Sequence, residues 1–206
     1  MEQLPPLPEM LESLPLERPE ALIPFPTLKG LGLVLRPLTP TDTGFLFSWC
    51  SNPNVAKYVT WEAHQSVAVT EQVMQRFLDG YASGKDAPWG ITLEDEDRVV
   101  GTIGLQSWHS SHRSVDMGYA IGEPWWGQGL ASRAATLVRD YLFFNTQINR
   151  LGAQCEVPHL ASARVMEKIG MQYEGTLRDV TRFKDRFRTM RQFSILRSDW
   201  EALLNN

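Results

Sequence analysis

Three sets of residues in this chain have types and spacings that could do chemistry. The densest is Pro124-Trp125-Trp126-Gly127-Gln128-Gly129-Leu130-Ala131-Ser132, in which two glycines precede an apolar series at helical spacing: Leu130, Ala134, Leu137, Val138, Tyr141 and Leu142. Ahead of it Val115, Met117 and Tyr119 alternate with Asp116, Gly118 and Ala120, the period of a strand. A glycine pair in a strand-to-helix turn leaves backbone N–H groups free at the positive end of a helix dipole. It also lets a phosphate come close to the main chain. The turn is not a Walker loop, because no Gly-Lys-Ser/Thr follows, and it is not GxGxxG. A plain turn with one packing glycine would have the same sequence. The second candidate is Asp116, a lone carboxylate on that strand, directly upstream of the loop and so placed to take a proton. An exposed Asp–Arg pair is its plainer use. The third set, Cys50 and Cys155 with four histidines, shows neither metal-ligand spacing, nor a disulfide framework, nor a nucleophile–base pairing. Cys155 lies in an apolar stretch and reads as a small buried thiol.

The elements that must position these groups follow from periodicity. Gly32 to Pro37 alternates as a first strand, and Thr39-Pro40-Thr41-Asp42 is a capping box opening a helix with Phe45, Leu46 and Trp49 on its apolar face. Ser66 to Asp79 is a second helix, with Gly80 as its stop. Trp89-Ile91-Leu93 and Val99 to Leu105 form a hairpin around the acidic turn Glu94-Asp95-Glu96-Asp97, a solvated tip rather than a metal site. The central strand, the glycine loop and a helix over 128–144 follow. Leu151 to Val157 is then a buried strand, Ala161 to Ile169 a helix ended by Gly170, and Glu174–Val180 with Arg188–Leu196 the last two strands. This order predicts an α/β (α+β) fold, a mixed sheet of about seven strands packed by about four helices.

Composition bounds the partners. The 206 residues are 43% hydrophobic and 21% charged with a net charge of −4, the balance of a globular domain and not of a general nucleic-acid binder. No apolar run is long enough to span a bilayer, and the first residues do not form a secretory signal, so a cytoplasmic setting is expected. Residues 1–28 hold seven prolines, five acidic residues and one basic residue, and read as a proline-rich extended arm lying on the domain or on a partner. Residues 29–206 read as one domain.

Six further segments, in register with the glycine loop, carry a resemblance. They are Tyr58-Val59-Thr60-Trp61-Glu62-Ala63-His64-Gln65-Ser66, Gly101–Leu105, Asp116-Met117-Gly118-Tyr119, Ser162–Met171, Glu174–Arg178 and Ser194–Trp200. From about residue 31 to the end, the chain resembles the GNAT acetyltransferase superfamily, nearest to its ribosomal-protein-alanine N-acetyltransferase branch. The resemblance implies a mostly antiparallel sheet and acetyl-CoA as acetyl donor. It also implies an acceptor that is a protein or peptide N-terminal amine, or a small amine such as a polyamine or aminoglycoside-like compound. A non-catalytic acyl-CoA binder is the reading from another class, and a monomer or homodimer is expected in either case. The loop usually opens with Arg or Gln, where this chain has Trp126.

By the same resemblance, coenzyme A is held by Tyr119, Ala120, Ile121, Trp126, Gly127, Gln128, Gly129, Leu130, Ala131 and Ser132, together with His159 and Ser162. Direct attack by the bound amine needs a base, donors for the oxyanion and a proton for the leaving thiolate. Asp116 stands where related enzymes have Glu, and the shorter arm favours a water relay. The usual tyrosine acid is replaced by Met166, which leaves Ser162 to donate to the thiol. His159 replaces an Asn and could hydrogen-bond or pass a proton in its place. Trp61 and His64 border the acceptor pocket, which Asp116 also faces. From Thr176 to Arg197, seven basic residues stand against two acidic ones. A solvated cationic face and an attraction for an acidic acceptor or for phosphates both account for that.

Overall fold

A computed structural model describes residues 11–205 other than 12 and 86; Pro5, Pro6 and Pro8 of the proline-rich arm lie outside the described residues. Eight strands form one sheet: β1 (Leu28–Gly30), β2 (Leu33–Pro37), β3 (Pro88–Leu93), β4 (Gly101–His109), β5 (Ser114–Ile121), β6 (Arg150–Glu156), β7 (Gln172–Phe183) and β8 (Arg186–Leu196). Their order is β1-β2-β3-β4-β5-β6-β8-β7, and every neighbouring pair is antiparallel except β5 with β6. Seven α-helices are described: α1 (Arg18–Leu22), α2 (Thr43–Cys50), α3 (Pro53–Ala56), α4 (Val67–Ser83), α5 (Leu130–Asn145), α6 (Leu160–Lys168) and α7 (Arg197–Leu204). The mixed, mostly antiparallel α/β architecture matches expectation.

Three helices, α1, α3 and α7, add to the four expected, and other details depart from the expected elements as well. β1 adds an eighth strand, too short to show a period. The second helix does not stop at Gly80 but runs to Ser83 and is capped by Gly84 at φ +65°. Gly80 serves a close approach instead, since a Cβ there would lie 2.2 Å from the Lys85 carbonyl oxygen. The last hairpin is longer at both inner ends, reaching Phe183 and Arg186. The expected capping box is present, with the Thr39 N–H donating to Asp42 Oδ2 at 2.7 Å.

Two apolar cores lie on opposite faces of the sheet. The larger packs Val115, Met117, Leu151 and Ile195 under Leu130, Ala134, Val138 and Leu142 of α5. Each fully buried aliphatic side chain there contributes about 1.5–3 kcal/mol relative to exposure. The smaller packs Leu38, Leu46, Trp49, Val55, Met74 and Val99 beneath α2 and α4. Residues 13–27 follow the larger core rather than solvent. Leu22 is fully buried, and Trp89, Trp108 and Tyr141 donate to the carbonyls of Pro26, Leu16 and Ala21. One helical turn, α1, interrupts the expected extended run. At the far end, Arg197 donates to the carbonyls of Phe143, Thr146 and Ile148, which closes the C-terminus of α5.

Gly44, exposed within α2, shows nothing within 4 Å of a built Cβ. Gly44→Ala is therefore expected to stabilise the fold by about 0.5–1 kcal/mol, because alanine has less backbone entropy to lose in a helix. Chemical denaturation would read the gain, and an unchanged or lower midpoint would refute it.

Candidate active site

The parallel pairing of β5 and β6 covers only Ser114–Asp116 against Arg150–Gly152. Beyond Asp116 the two strands part, because β6 is held by β8 through Glu156 while β5 stays with β4 through Ile121. The gap opens a cleft of about 620 Å³, within the range of small-molecule sites. Its walls are Tyr119, Ala120 and Ile121 of β5, the loop Trp126–Gly129 with the first turn of α5, the start of α6, and residues 54–59.

The glycine loop is shaped as its sequence requires. Gly127 and Gly129 have φ of +77° and +75°, conformations that L side chains rarely adopt. A Cβ built on either meets no protein atom within 4 Å, so the space in front of the backbone is open. Gly129 is the N-cap of α5, whose first turn leaves N–H groups of Leu130, Ala131 and Ser132 without intrahelical acceptors. Arg133 braces the loop from behind, donating to the carbonyl of Leu31 at 2.8 Å. Trp126 Nε1 donates to the Ile121 carbonyl at 2.7 Å, which ties the loop's entry to the end of β5.

Charge on the cleft is one-sided. Lys57, Arg164 and Lys168 line it, and among the described residues no carboxylate does. With the helix N-terminus, these cations make a site complementary to phosphates. Sequence reasoning missed them. Arg164 and Lys168 stand four apart, on one face of α6, and that spacing was the available signal.

Of the expected coenzyme residues, Tyr119, Ala120, Ile121, Trp126, Gly127, Gly129, Leu130, Ala131, Ser132, His159 and Ser162 line this one cleft. Gln128 does not, and its side-chain amide turns back to the Pro124 carbonyl at 3.3 Å. The Tyr119 hydroxyl meets Ser162 Oγ at 2.9 Å and the Ser162 carbonyl at 3.1 Å, joining β5 to α6 across the cleft. Burial pushes the Tyr119 phenol well above its ordinary value, so it is a protonated donor at neutral pH. Burial likewise raises the Cys155 thiol, which makes it a poor nucleophile. Met166 is fully buried in the larger core and has no part in the cleft. His159 makes no side-chain cap for α6 and stacks on Tyr58 at 4.4 Å; burial lowers its pKa, leaving it neutral.

Asp116 lies at the point where β5 and β6 divide, half-buried, on the sheet face opposite Val115 and Met117. Its Oδ1 sits over Gly152, 2.1 Å from where a Cβ would be. Arg150 does not pair with it, being held by Glu174 (Nη1 to Oε1, 2.6 Å) and Ser194. The Asp116 carboxyl is pushed up by burial, with Arg150 and His109 opposing. Trp61 and His64 line a second cleft of about 650 Å³, with Trp49, Phe77, Arg76 and Thr102. Thr102 pairs with Ala120 two residues from the Gly104–Gly118 pair, so this second cleft and Asp116 share one sheet face. His64 itself is buried, its Nδ1 against Thr70 Oγ1 at 2.8 Å, and burial followed by Arg76 lowers its pKa.

Comparison with known proteins identifies the family and matches the fold. Residues 32–172 match the acetyltransferase (GNAT) domain family. The uncharacterized N-acetyltransferase YoaA of Bacillus subtilis is 33% identical over 154 residues, covering 75% of this chain and 87% of YoaA. A GNAT-family acetyltransferase from Bacillus anthracis superposes with a TM-score of 0.75 at 23% identity, over 84% of this chain and 99% of its own. The ribosomal L7/L12 alpha-N-protein acetyltransferase RimL, solved in complex with coenzyme A, superposes with a TM-score of 0.73 at 16% identity, over 83% and 98%. Among the described residues, no helix is long and apolar enough to cross a membrane.

Proposed function

The chain belongs to the GNAT acetyltransferase family, and on that premise we propose that it moves the acetyl group of acetyl-CoA to the α-amine of a protein or peptide N-terminus by direct attack. The observation that carries the reading is the cleft itself. Two glycines at positive φ, a helix N-terminus and three cations face one space that, among the described residues, no carboxylate lines. Coenzyme A, with its phosphates at one end and a thioester at the other, suits a cleft that is lined by these cations and the loop and holds Tyr119 and Ser162 in its wall.

Asp116 accepts the proton of the incoming ammonium, directly or through one water, and the freed amine attacks the thioester carbonyl. As the tetrahedral species collapses, the carbon–sulfur bond breaks and the thiolate takes a proton from the Ser162 hydroxyl. Tyr119 replaces that proton across its hydrogen bond. The second proton of the attacking nitrogen, released as the amide forms, returns to the Tyr119 oxygen, so the net products are the amide, the free thiol and the ammonium proton held at Asp116.

The choice of acceptor rests on proton affinity. An α-amine of pKa near 8 is about one-tenth neutral at pH 7, whereas a lysine near 10.4 is neutral only about once in 2,500. A single shortened carboxylate as base suits the easier amine. A peptide with a free N-terminus and an internal lysine, incubated with acetyl-CoA and mapped by fragmentation, is expected to carry acetyl at the α-amine. Acetyl on lysine alone, or turnover only with polyamines or aminoglycosides, would replace this acceptor and leave the acetyltransferase assignment intact.

A further inference from the structure

The sheet face that carries Asp116 also carries three glutamines. Register places Gln106 opposite Asp116, Asp116 opposite Gly152, and Gln154 opposite Gln192, and partners in register share a face. Two glycines keep the floor between them bare. A Cβ on Gly118 would meet Gln106 Nε2 at 2.9 Å, and one on Gly152 would meet Asp116 Oδ1 at 2.1 Å and Gln192 Nε2 at 3.5 Å. The amides of Gln106 and Gln192 thus bracket the carboxylate. Gln154 Nε2 donates to Gln192 Oε1 at 2.7 Å, which leaves the Gln154 carbonyl to accept from elsewhere, and Gln192 Nε2 donates to the Phe193 carbonyl at 3.0 Å, which leaves it one N–H to give. Gln106 and Gln154 are exposed and Gln192 is half-buried, so none is shut away from a ligand. A carboxamide offers both donor and acceptor, the complement of a peptide group.

The charges nearby select the peptide further. Glu174 is engaged by Arg150 and Ser194, Glu156 by Arg188 at 2.8 Å, and Glu123 by Asn52 and Asn54. Glu62 has Lys184 at 3.9 Å, where the tip of the β7–β8 hairpin also reaches the Ala56 carbonyl. Asp116 makes no ion pair or hydrogen bond among the described residues. The hairpin adds exposed Arg178, Arg182 and Arg186, of which, among the described residues, only Arg182 has an ion-pair partner in reach, Asp185 at 3.6 Å. A polycation would find one carboxylate without an ion pair here, on a sheet whose last hairpin carries exposed cations.

Resting on the acetyltransferase reading above, we propose that Gln106, Gln154 and Gln192 form a rack for the first peptide groups of an extended acceptor, that Asp116 receives its α-ammonium, and that this acceptor carries acidic side chains after its N-terminal residue. The acceptor class is therefore an acidic protein N-terminus, set apart from polyamines by charge and from free amino acids by the rack.

The test compares kcat/KM, with acetyl-CoA saturating, for an Ala-Asp-Glu peptide, an otherwise identical Ala-Lys-Lys peptide, and spermidine. The acidic peptide is expected to lead the basic one by about tenfold or more, with the gap shrinking as salt screens the hairpin. Gln192→Leu should raise KM for the acidic peptide about fivefold, the loss of one hydrogen bond, with KM for acetyl-CoA unchanged. Gln154→Glu, an exposed change that keeps the side chain's length, should weaken the acidic peptide and improve spermidine. Equal or better turnover of the basic peptide or spermidine by the parent enzyme, or a peptide KM indifferent to both substitutions, overturns the proposal while the acetyltransferase reading stands. No turnover of any of the three acceptors overturns that reading, and this proposal with it.

Discussion

Asp116→Asn is expected to lower kcat/KM at pH 7 by roughly 10²-fold or more, as removal of a general base does, with KM for acetyl-CoA unchanged. The carboxylate stands where β5 and β6 divide, without an ion pair, and Arg150 is already committed to Glu174 and Ser194. Burial raises its pKa against the pull of Arg150 and His109. The ionised form is the base, so kcat/KM should fall as pH drops through that raised value, above the ordinary carboxylate range near 3.9. The Asn variant should lack this acid limb. Stability should move the other way. A folded-state pKa above the unfolded one means that the folded protein binds more protons in that window, so this group's contribution is lost as pH rises through it. Asp116→Asn is thus expected to melt no lower than the parent at pH 7. Gly152→Ala should reduce activity in the same direction by crowding Oδ1, whose distance to the new Cβ would be 2.1 Å before anything moves. Full activity of Asp116→Asn with an unchanged pH profile would make Asp116 structural.

How much of this was legible from sequence depended on whether each element buries one face. β5 spans Ser114–Ile121, the alternating run itself, because Val115 and Met117 enter the core while Asp116 and Gly118 do not. α5 was legible from its apolar stripe. β7 was half-read because most of its residues are exposed, so Gln172–Phe183 shows no period; pairing with β8 forms it instead. Gly80 fits two uses, since a helix stop and a close helix–loop approach both select glycine, and here the nearby Lys85 carbonyl is what requires it. Within the site, the glycine loop was local and readable. The Tyr119–Ser162 contact joins residues 43 apart in the chain, and no periodicity encodes it. Trp61 and His64 read as a substrate-facing wall; they line a cleft of their own, and His64 owes its orientation to Thr70.

Gly129→Val is expected to abolish the thermal stabilisation given by acetyl-CoA. At ligand near 100 times Kd, the parent should gain about 2.7 kcal/mol. For a chain of this size that corresponds to a rise in Tm of roughly 5–11 °C. The substitution acts twice at one place. At φ +75° a β-branched residue strains the backbone by about 1–2 kcal/mol, so the loop relaxes away from the shape that presents its N–H groups. Its methyls would also occupy the space before Gly129 where no protein atom lies within 4 Å, the space a phosphate needs to reach the start of α5. Because that space is empty of protein, the core should survive, and the ligand-free variant should melt cooperatively a few degrees below the parent. Gly44→Ala is the control, a glycine with equally open surroundings outside the cleft, and should keep the full ligand-induced shift. Scanning fluorimetry with and without acetyl-CoA reads all of these together. A Gly129→Val protein that still gains the parental shift would move the coenzyme away from this loop, and the three cations of the cleft would then need another ligand.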